Sequence, residues 1–313
     1  MIRDYFASLI TAWDEFWFRP RSSNVLAIMR IFVGSMLLYT HVVWTLELET
    51  FFAVSEAAVP HDFRTMFPRI NSFSWSHFDW FDSKIWLWGS HCLALITFFL
   101  FTIGCWTRLS GIMAFLFVVS YANRALGTLF GLDQINAFLT CYLAFSHCGS
   151  QYSVDAWRKR KSTDNSEQGR GGKFVANTIA TRLIQIHLCI VYLFAGLGKV
   201  QGNSWWNGEA IWGTLASYEY QTLDMTWLHE WMWLVNIVTY ATVAWEVSYA
   251  FLIWNRLTRP LYIVIAAFVH IGIGLCMGMM TFGLIMLYAN IAFIEPCWLA
   301  KILNRSVGDS GDS

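Results

Sequence analysis

The chain has 313 residues, 56% of them hydrophobic and 13% charged, with no net charge and a mean hydropathy of +0.45. Soluble domains carry about 25% charged residues, so this composition points to an integral membrane protein and argues against a water-soluble enzyme. The zero net charge and the lack of any nucleic-acid motif exclude nucleic acid as a partner class.

The opening stretch, MIRDYFASLITAWDEFWFRP, scatters arginine and acids among aromatics and lacks a continuous apolar run with a small-residue cleavage site. It reads as an interfacial amphipathic helix with Phe6, Leu9, Trp13 and Trp17 on one side, not as a signal peptide. Spans of about 20 apolar residues then predict helices near 24–45, 84–103, 109–127, 130–147, 180–199, 231–253, 260–279 and 281–295. The last two are split at GLCMGMMTFG, because one helix through both would overshoot a bilayer; a re-entrant turn is the alternative. The expected fold is therefore all-α, a polytopic helical bundle of about eight transmembrane helices in one domain, 1–296. Helices 1–4 fall in 24–147, a basic cytoplasmic loop in 148–179, helices 5–8 in 180–295, and a cytoplasmic tail in 297–313.

Basic residues orient the bundle. They gather at Arg19, Arg21, Arg158–Lys161, Arg256 and Arg259, whereas 201–230 holds none, which places both termini in the cytoplasm. Two long outer loops, 47–82 and 201–230, are aromatic, acidic and short of lysine; they are expected to form partly helical lids at the outer interface, where Trp and Tyr favour the headgroup level. The stretch from Ser150 to Lys173 is polar and basic, and is expected to be a mobile loop facing anionic lipid and dividing two four-helix halves. The seven cysteines form no CxxC pair and read as packing residues.

The stretch most informative about function is TRLIQIHLCIVYLFAGLGKVQGNSWWNG, from Thr181 to Gly208. It is apolar enough to cross a bilayer, yet Arg182, Gln185, Cys189, Tyr192, Gly196 and Lys199 follow helical steps of three or four and make one polar stripe. Polar groups at lipid depth are costly unless they face protein or a wet cavity. Lys199 and Arg182 could simply snorkel to opposite membrane faces. Gly196 and Gly198 argue for close helix approach, and Trp205 and Trp206 follow. Other polar groups at depth are Arg30, His91, Asp133, Asn136, Glu246, His270 and Asn290. Asp133 and Asn136 share a helix face, and Asp133 could lie level with Lys199. Glu246 could tie its helix to Arg30. His91 and His270 read as satisfied core histidines before they read as ligands. No HExxH or close His/Cys cluster supports a metal site, and no GxSxG or phosphate-binding loop appears. A lysine held against apolar walls would lose part of its preference for the charged form and become available as a base; a lipophilic quinol is the obvious proton donor at that depth.

The segment YLFAGLGKVQGNSWWNG resembles the region around the catalytic lysine of vitamin K-dependent gamma-glutamyl carboxylases and of the bacterial horizontally transferred transmembrane (HTTM) proteins that share their membrane domain. RIFVGSMLLYTHV, GCWTRLSGIMAF, QYSVDAW and FVHIGIGLCMGMMTFGLIMLY fit in the same order. The resemblance implies a bacterial inner-membrane location and a base at Lys199 that deprotonates a reduced quinone, menaquinol or vitamin K hydroquinone, with no metal. His270 falls at the histidine that in that family follows the penultimate helix. The carboxylase histidine at the start of the fourth helix aligns near Leu132 and Asp133, so Asp133 stands in for it. The chain ends soon after Pro296, without the large lumenal domain that in the carboxylases helps hold the protein substrate, so peptide carboxylation is not expected.

The resulting reading is quinol-dependent redox or carboxylation-type chemistry in an outward-facing cavity. Lys199, Asp133 and His270 are its catalytic candidates, and Tyr192, Asn136, Gln185 and Trp205 its cofactor-binding candidates; membrane lipid and the quinone are the expected partners. Two alternatives stay open: a non-catalytic maturation or export factor for a secreted peptide, and a quinone-binding subunit serving a thioredoxin-like redox protein. A shared fold fixes neither reaction.

Overall fold

The computed structural model describes residues 2–53, 75–125, 128–162 and 172–295. Within them the structure is helical: α1 (Ile2–Phe18), α2 (Asn24–Trp44), α3 (Leu48–Phe52), α4 (Lys84–Ile103), α5 (Thr107–Arg124), α6 (Gly131–Phe145), α7 (Val154–Ser162), α8 (Val175–Val200), α9 (Asn203–Trp206), α10 (Ala210–Leu215), α11 (Met232–Leu252), α12 (Arg259–Cys276) and α13 (Met280–Asn290). The strands among the described residues are β1 (Arg21–Ser22) and β2 (Lys173–Phe174), a short antiparallel pair. Each of the eight segments expected to be helical is helical.

Among the described residues four helices are long and apolar enough to cross a membrane, Asn24–Phe52, Lys84–Ile103, Val175–Val200 and Arg259–Cys276. The 11 residues of α13 rise about 16 Å at 1.5 Å each, too short to cross a ~30 Å apolar core alone. The break between α12 and α13 lies where the glycines predicted it. Gly278 takes a φ of +70°, which glycine adopts without a Cβ penalty. Gly283 packs on the His270 carbonyl, where a Cβ would sit 2.4 Å from the oxygen. With Gly274 against Met280, the two helices form an antiparallel hairpin.

Packing divides the chain into two compact units, one built on Met1–Arg182 and the other on Leu183–Ile294. The boundary falls inside α8, not in the 150–173 linker. The physical reason is that the linker is tied to the first unit and is not a mobile loop up to Ser162. The Asp155 carboxylate accepts from the N–H groups of Trp106 at 3.0 Å and Thr107 at 2.7 Å and from the Thr107 hydroxyl at 2.7 Å. It thereby serves the open N–H groups at the start of α5. Burial raises the Asp155 carboxyl, but these bonds and Arg158 outweigh it and hold the group below the usual carboxylate range. On the first turn of α8, Asn177 accepts from the His147 N–H and donates to Arg21 O, and Thr178 donates to Arg19 O. Residues 163–171, like 54–74 of the first outer loop and the tail, lie outside the described residues.

In the first unit, α2 and α4 meet at Gly34, where a Cβ would stand 2.9 Å from the Thr102 Cα. Arg30 is fully buried and donates to Tyr152 O at 2.6 Å, so its partner is a backbone carbonyl and not Glu246. His91 is a satisfied core histidine, bonded to Tyr121 Oη at 2.6 Å and Thr45 Oγ1 at 2.9 Å. Trp44, Phe52 and Phe78 surround the Tyr121 ring. In the second unit, the 201–230 loop is partly helical through α9 and α10, and the Thr222 N–H bonds Cys276 O at 3.1 Å, fastening the loop to the α12–α13 turn.

Candidate functional site

The polar stripe read from sequence on α8 is real, and the second unit builds a ladder of interactions along it. Gln185, Tyr192 and Lys199 stand seven residues apart in turn, close to two helical turns each, so they project from one side. Each meets a different partner.

On the lowest rung Gln185, 4% exposed, donates to Ala292 O at 2.7 Å and ties α8 to the turn after α13. On the middle rung four buried side chains form a continuous chain. Tyr249 donates to Asn290 Oδ1 at 2.6 Å, Asn290 Nδ2 donates to Tyr192 Oη at 3.0 Å, and Tyr192 Oη lies 2.7 Å from His270 Nε2. A second bond from Asn290 Nδ2 to Met286 O at 2.8 Å fixes which way the amide points. Tyr192, accepting from Asn290, can give its own hydrogen to His270 Nε2, and in that arrangement the imidazole proton is on Nδ1. His270 Nδ1 has no partner among the described residues. The Tyr192 ring packs on Trp245 at 5.0 Å and on Tyr249 at 4.1 Å.

The top rung is an ion pair. Lys199 Nζ donates to Glu246 Oε1 at 2.8 Å and stands 2.7 Å from Oε2, with the two side chains 25% and 10% exposed. Gly196 makes the pairing possible, because a Cβ there would stand 3.0 Å from Val247 N and 3.1 Å from Glu246 Cβ, so α8 and α11 approach backbone to backbone. Gly198, expected to act likewise, faces open space. Lys199 also sits 5.3 Å from the Trp205 ring centroid, within cation–π range. The chain after α8 holds Trp205 in place: the Gly202 N–H bonds Lys199 O at 3.0 Å, Trp206 Nε1 donates to Val200 O at 2.6 Å, and Tyr240 Oη donates to Trp206 O at 2.7 Å.

Two expectations change. The carboxylate that meets Lys199 is Glu246, not Asp133. Helix depth is legible in a sequence, but which way a side chain turns and which neighbour it meets are set by packing. Asp133 belongs to the first unit, where Oδ2 accepts from the Phe130 N–H at 3.1 Å at the start of α6. Asn136 is buried in that unit as well. Nor is Lys199 an amine sealed against apolar walls: it is one quarter exposed and faces a carboxylate at ion-pair distance. Glu246 and Asn290 were visible as polar groups at depth, but sequence reasoning did not bring them to Lys199 and Tyr192, and Tyr249 escaped notice. The available signal was Trp245, Glu246 and Tyr249, an acid between two aromatics at helical spacing.

The arrangement can exchange a proton at the Lys199–Glu246 pair and present a hydrogen-bond donor at His270, both beside aromatic faces and on an apolar helix. No curated protein and no solved structure matches the chain. The model of the HTTM domain matches residues 18–298, from the end of α1 through the last described helix. With four apolar helices of membrane-crossing length, this is an integral membrane protein, and the chain belongs to the HTTM domain family.

Proposed function

We propose that this protein binds a lipophilic hydroxyl compound, a reduced quinone, at the Lys199–Glu246 pair and takes the proton from its hydroxyl. The HTTM domain is found in membrane proteins and in vitamin K-dependent carboxylases, which gives that ligand class its prior. The observation that carries the reading is an ammonium–carboxylate pair, mostly buried and beside the Trp205 ring, whose lysine stands on a helix of membrane-crossing length. Ionisable pairs in that setting mark functional positions more often than anchors. When bound, a reduced quinone supplies a weakly acidic hydroxyl on an apolar ring. Glu246 is the group that accepts the proton, and Lys199 donates a hydrogen bond and balances negative charge on the oxygen. The indole of Trp205 gives the ring an apolar face. This division of labour departs from a lone lysine base, because the amine faces a carboxylate oxygen at 2.7 Å. In this reading the eight apolar segments all cross or enter the membrane, both termini lie in the cytoplasm, and the 201–230 loop lies at the outer face.

The test is cofactor extraction. Protein purified from bacterial membranes into nanodiscs is extracted with solvent and its quinone content measured. The expected result is quinone near one per chain, reduced several-fold in Glu246→Gln and in Lys199→Ala with melting transitions still cooperative. Quinone no higher than in an unrelated membrane protein prepared alongside would overturn the proposal.

A further inference from the structure

The first unit contains a second polar site that the Lys199–Glu246 reading does not use. A small cavity is lined by Leu37, Thr40, His41 and Trp44 of α2, by Val118, Tyr121 and Ala122 of α5, and by Asp133 and Asn136 of α6. Two polar atoms of its lining residues, His41 Nε2 and Asn136 Oδ1, are buried without a partner among the described residues. Their residues are 3% and 2% exposed. An unpaired buried acceptor is destabilising, and two at one cavity call for a common ligand.

The hydrogens around the cavity can be assigned one by one. His41 Nδ1 lies 2.7 Å from Leu37 O, a pure acceptor, so Nδ1 carries the proton and Nε2 is a bare lone pair in the neutral ring. The Thr40 hydroxyl donates back to Met36 O and Leu37 O. Thr45 donates to His41 O at 3.1 Å, so it accepts from His91 Nε2. His91 Nδ1 is then an acceptor, and the Tyr121 hydroxyl gives its hydrogen there. Among the lining residues, His41 Nε2, Asn136 Oδ1, the Tyr121 oxygen and the Asp133 carboxylate are therefore acceptors, whereas the Thr40 oxygen lies 3.3 Å from the protonated His41 Nδ1. The walls are aromatic: the His41 ring lies 4.5 Å from Tyr121 and 4.7 Å from Trp44.

The geometry points to a binding site for one water-sized hydrogen-bond donor, a water molecule or an ammonium ion, bridging His41 Nε2 and Asn136 Oδ1. Both candidates carry at least two hydrogens, as two unpaired acceptors demand, and the cavity has room for a single ligand of that size. The site lies within α2, α5 and α6 and is independent of the quinone reading.

A double-mutant cycle with His41→Phe and Asn136→Leu, both close in size to the residues replaced, tests it by thermal melting in nanodiscs. Phe keeps the ring contacts of His41. If one ligand bridges the two atoms, each single variant melts lower, by on the order of 5 °C, and the double variant loses much less than the sum. If the acceptors are unpaired, each replacement raises the melting temperature and the effects add, which overturns the proposal. A density map of the unmodified protein provides the second measurement: a peak within hydrogen-bond distance of both atoms is expected, and an empty cavity overturns it. Exchanging sodium chloride for ammonium chloride at constant ionic strength separates the sources. Stabilisation by ammonium that disappears in both variants identifies the ion, and indifference to the salt together with the peak identifies water.

Discussion

Removing the cation from the Lys199–Glu246 pair should destabilise the protein more than removing the anion. Two unit charges 2.7 Å apart attract by about 6 kcal/mol at an effective dielectric of about 20, and desolvation offsets most of that. What remains after one partner is deleted depends on how well water reaches the other. Lys199→Met leaves a carboxylate in a residue 7% exposed, and breaking a buried pair this way costs about 3–5 kcal/mol. Glu246→Gln leaves an ammonium on a side chain 25% exposed, which snorkels toward water at a cost of about 1–2 kcal/mol. At about 2–3 °C per kcal/mol for a chain larger than a single small domain, Lys199→Met should melt roughly 6–15 °C lower and Glu246→Gln roughly 2–6 °C lower. Lys199→Met with Glu246→Leu should recover about 2 kcal/mol of the summed loss, because no charge is left buried. The assay is a thermal melt in nanodiscs followed by tryptophan fluorescence. Strict additivity, or a larger loss in Glu246→Gln than in Lys199→Met, would refute the argument that the pair is a buried interacting unit.

Other consequences follow from the first unit. Gly104→Ala should cost at least about 2 kcal/mol, since Gly104 sits at φ +70° and a Cβ would stand 1.8 Å from Arg30 Nη1; an unchanged melting temperature would show that this turn has slack. Asp155→Asn should cost about 1 kcal/mol as a weakened helix cap. Because the folded Asp155 carboxyl is held below its ordinary value, its contribution is complete above about pH 4 and is lost as pH falls through the folded value. Acid melts of the parent protein and the variant should converge there, and curves that stay parallel would contradict it. His77 follows the opposite chemistry with the same direction in pH. Burial pushes its imidazole down to about 4, with Asp79 opposing only in part, so the unfolded chain binds the proton first. Stability is complete above about pH 6.5 and declines by on the order of 3 kcal/mol as pH drops toward 4. The decline should vanish in His77→Phe, and its persistence there would assign it to another group.

How much of this was legible before the fold can be judged from particular residues. The α8 stripe was readable because helical spacing is a local property: residues seven apart share a side whatever surrounds the helix. Gly278 was readable for the same kind of reason, since a glycine-rich break inside an overlong apolar run must turn. The partners of the stripe were not. Glu246 and Asp133 are both acids near the ends or middle of apolar helices, and no local pattern says which one faces Lys199. The linker at 150–162 was misread because its composition is that of a mobile loop, while its order comes from one carboxylate meeting the start of α5.

Sequence alone determined that this chain belongs in a membrane, which eight apolar segments are helical, and that one of them carries polar groups on a single side. Those properties follow from composition and from the periodicity of a hydrogen-bonded backbone, which neighbours do not alter. Tertiary structure decided that Lys199 meets Glu246, that Tyr192 joins Asn290 and His270, and that His41 and Asn136 open on one cavity. Such contacts depend on the rotation and spacing of helices distant in sequence, and those are set by where glycines such as Gly34, Gly196 and Gly283 let backbones touch.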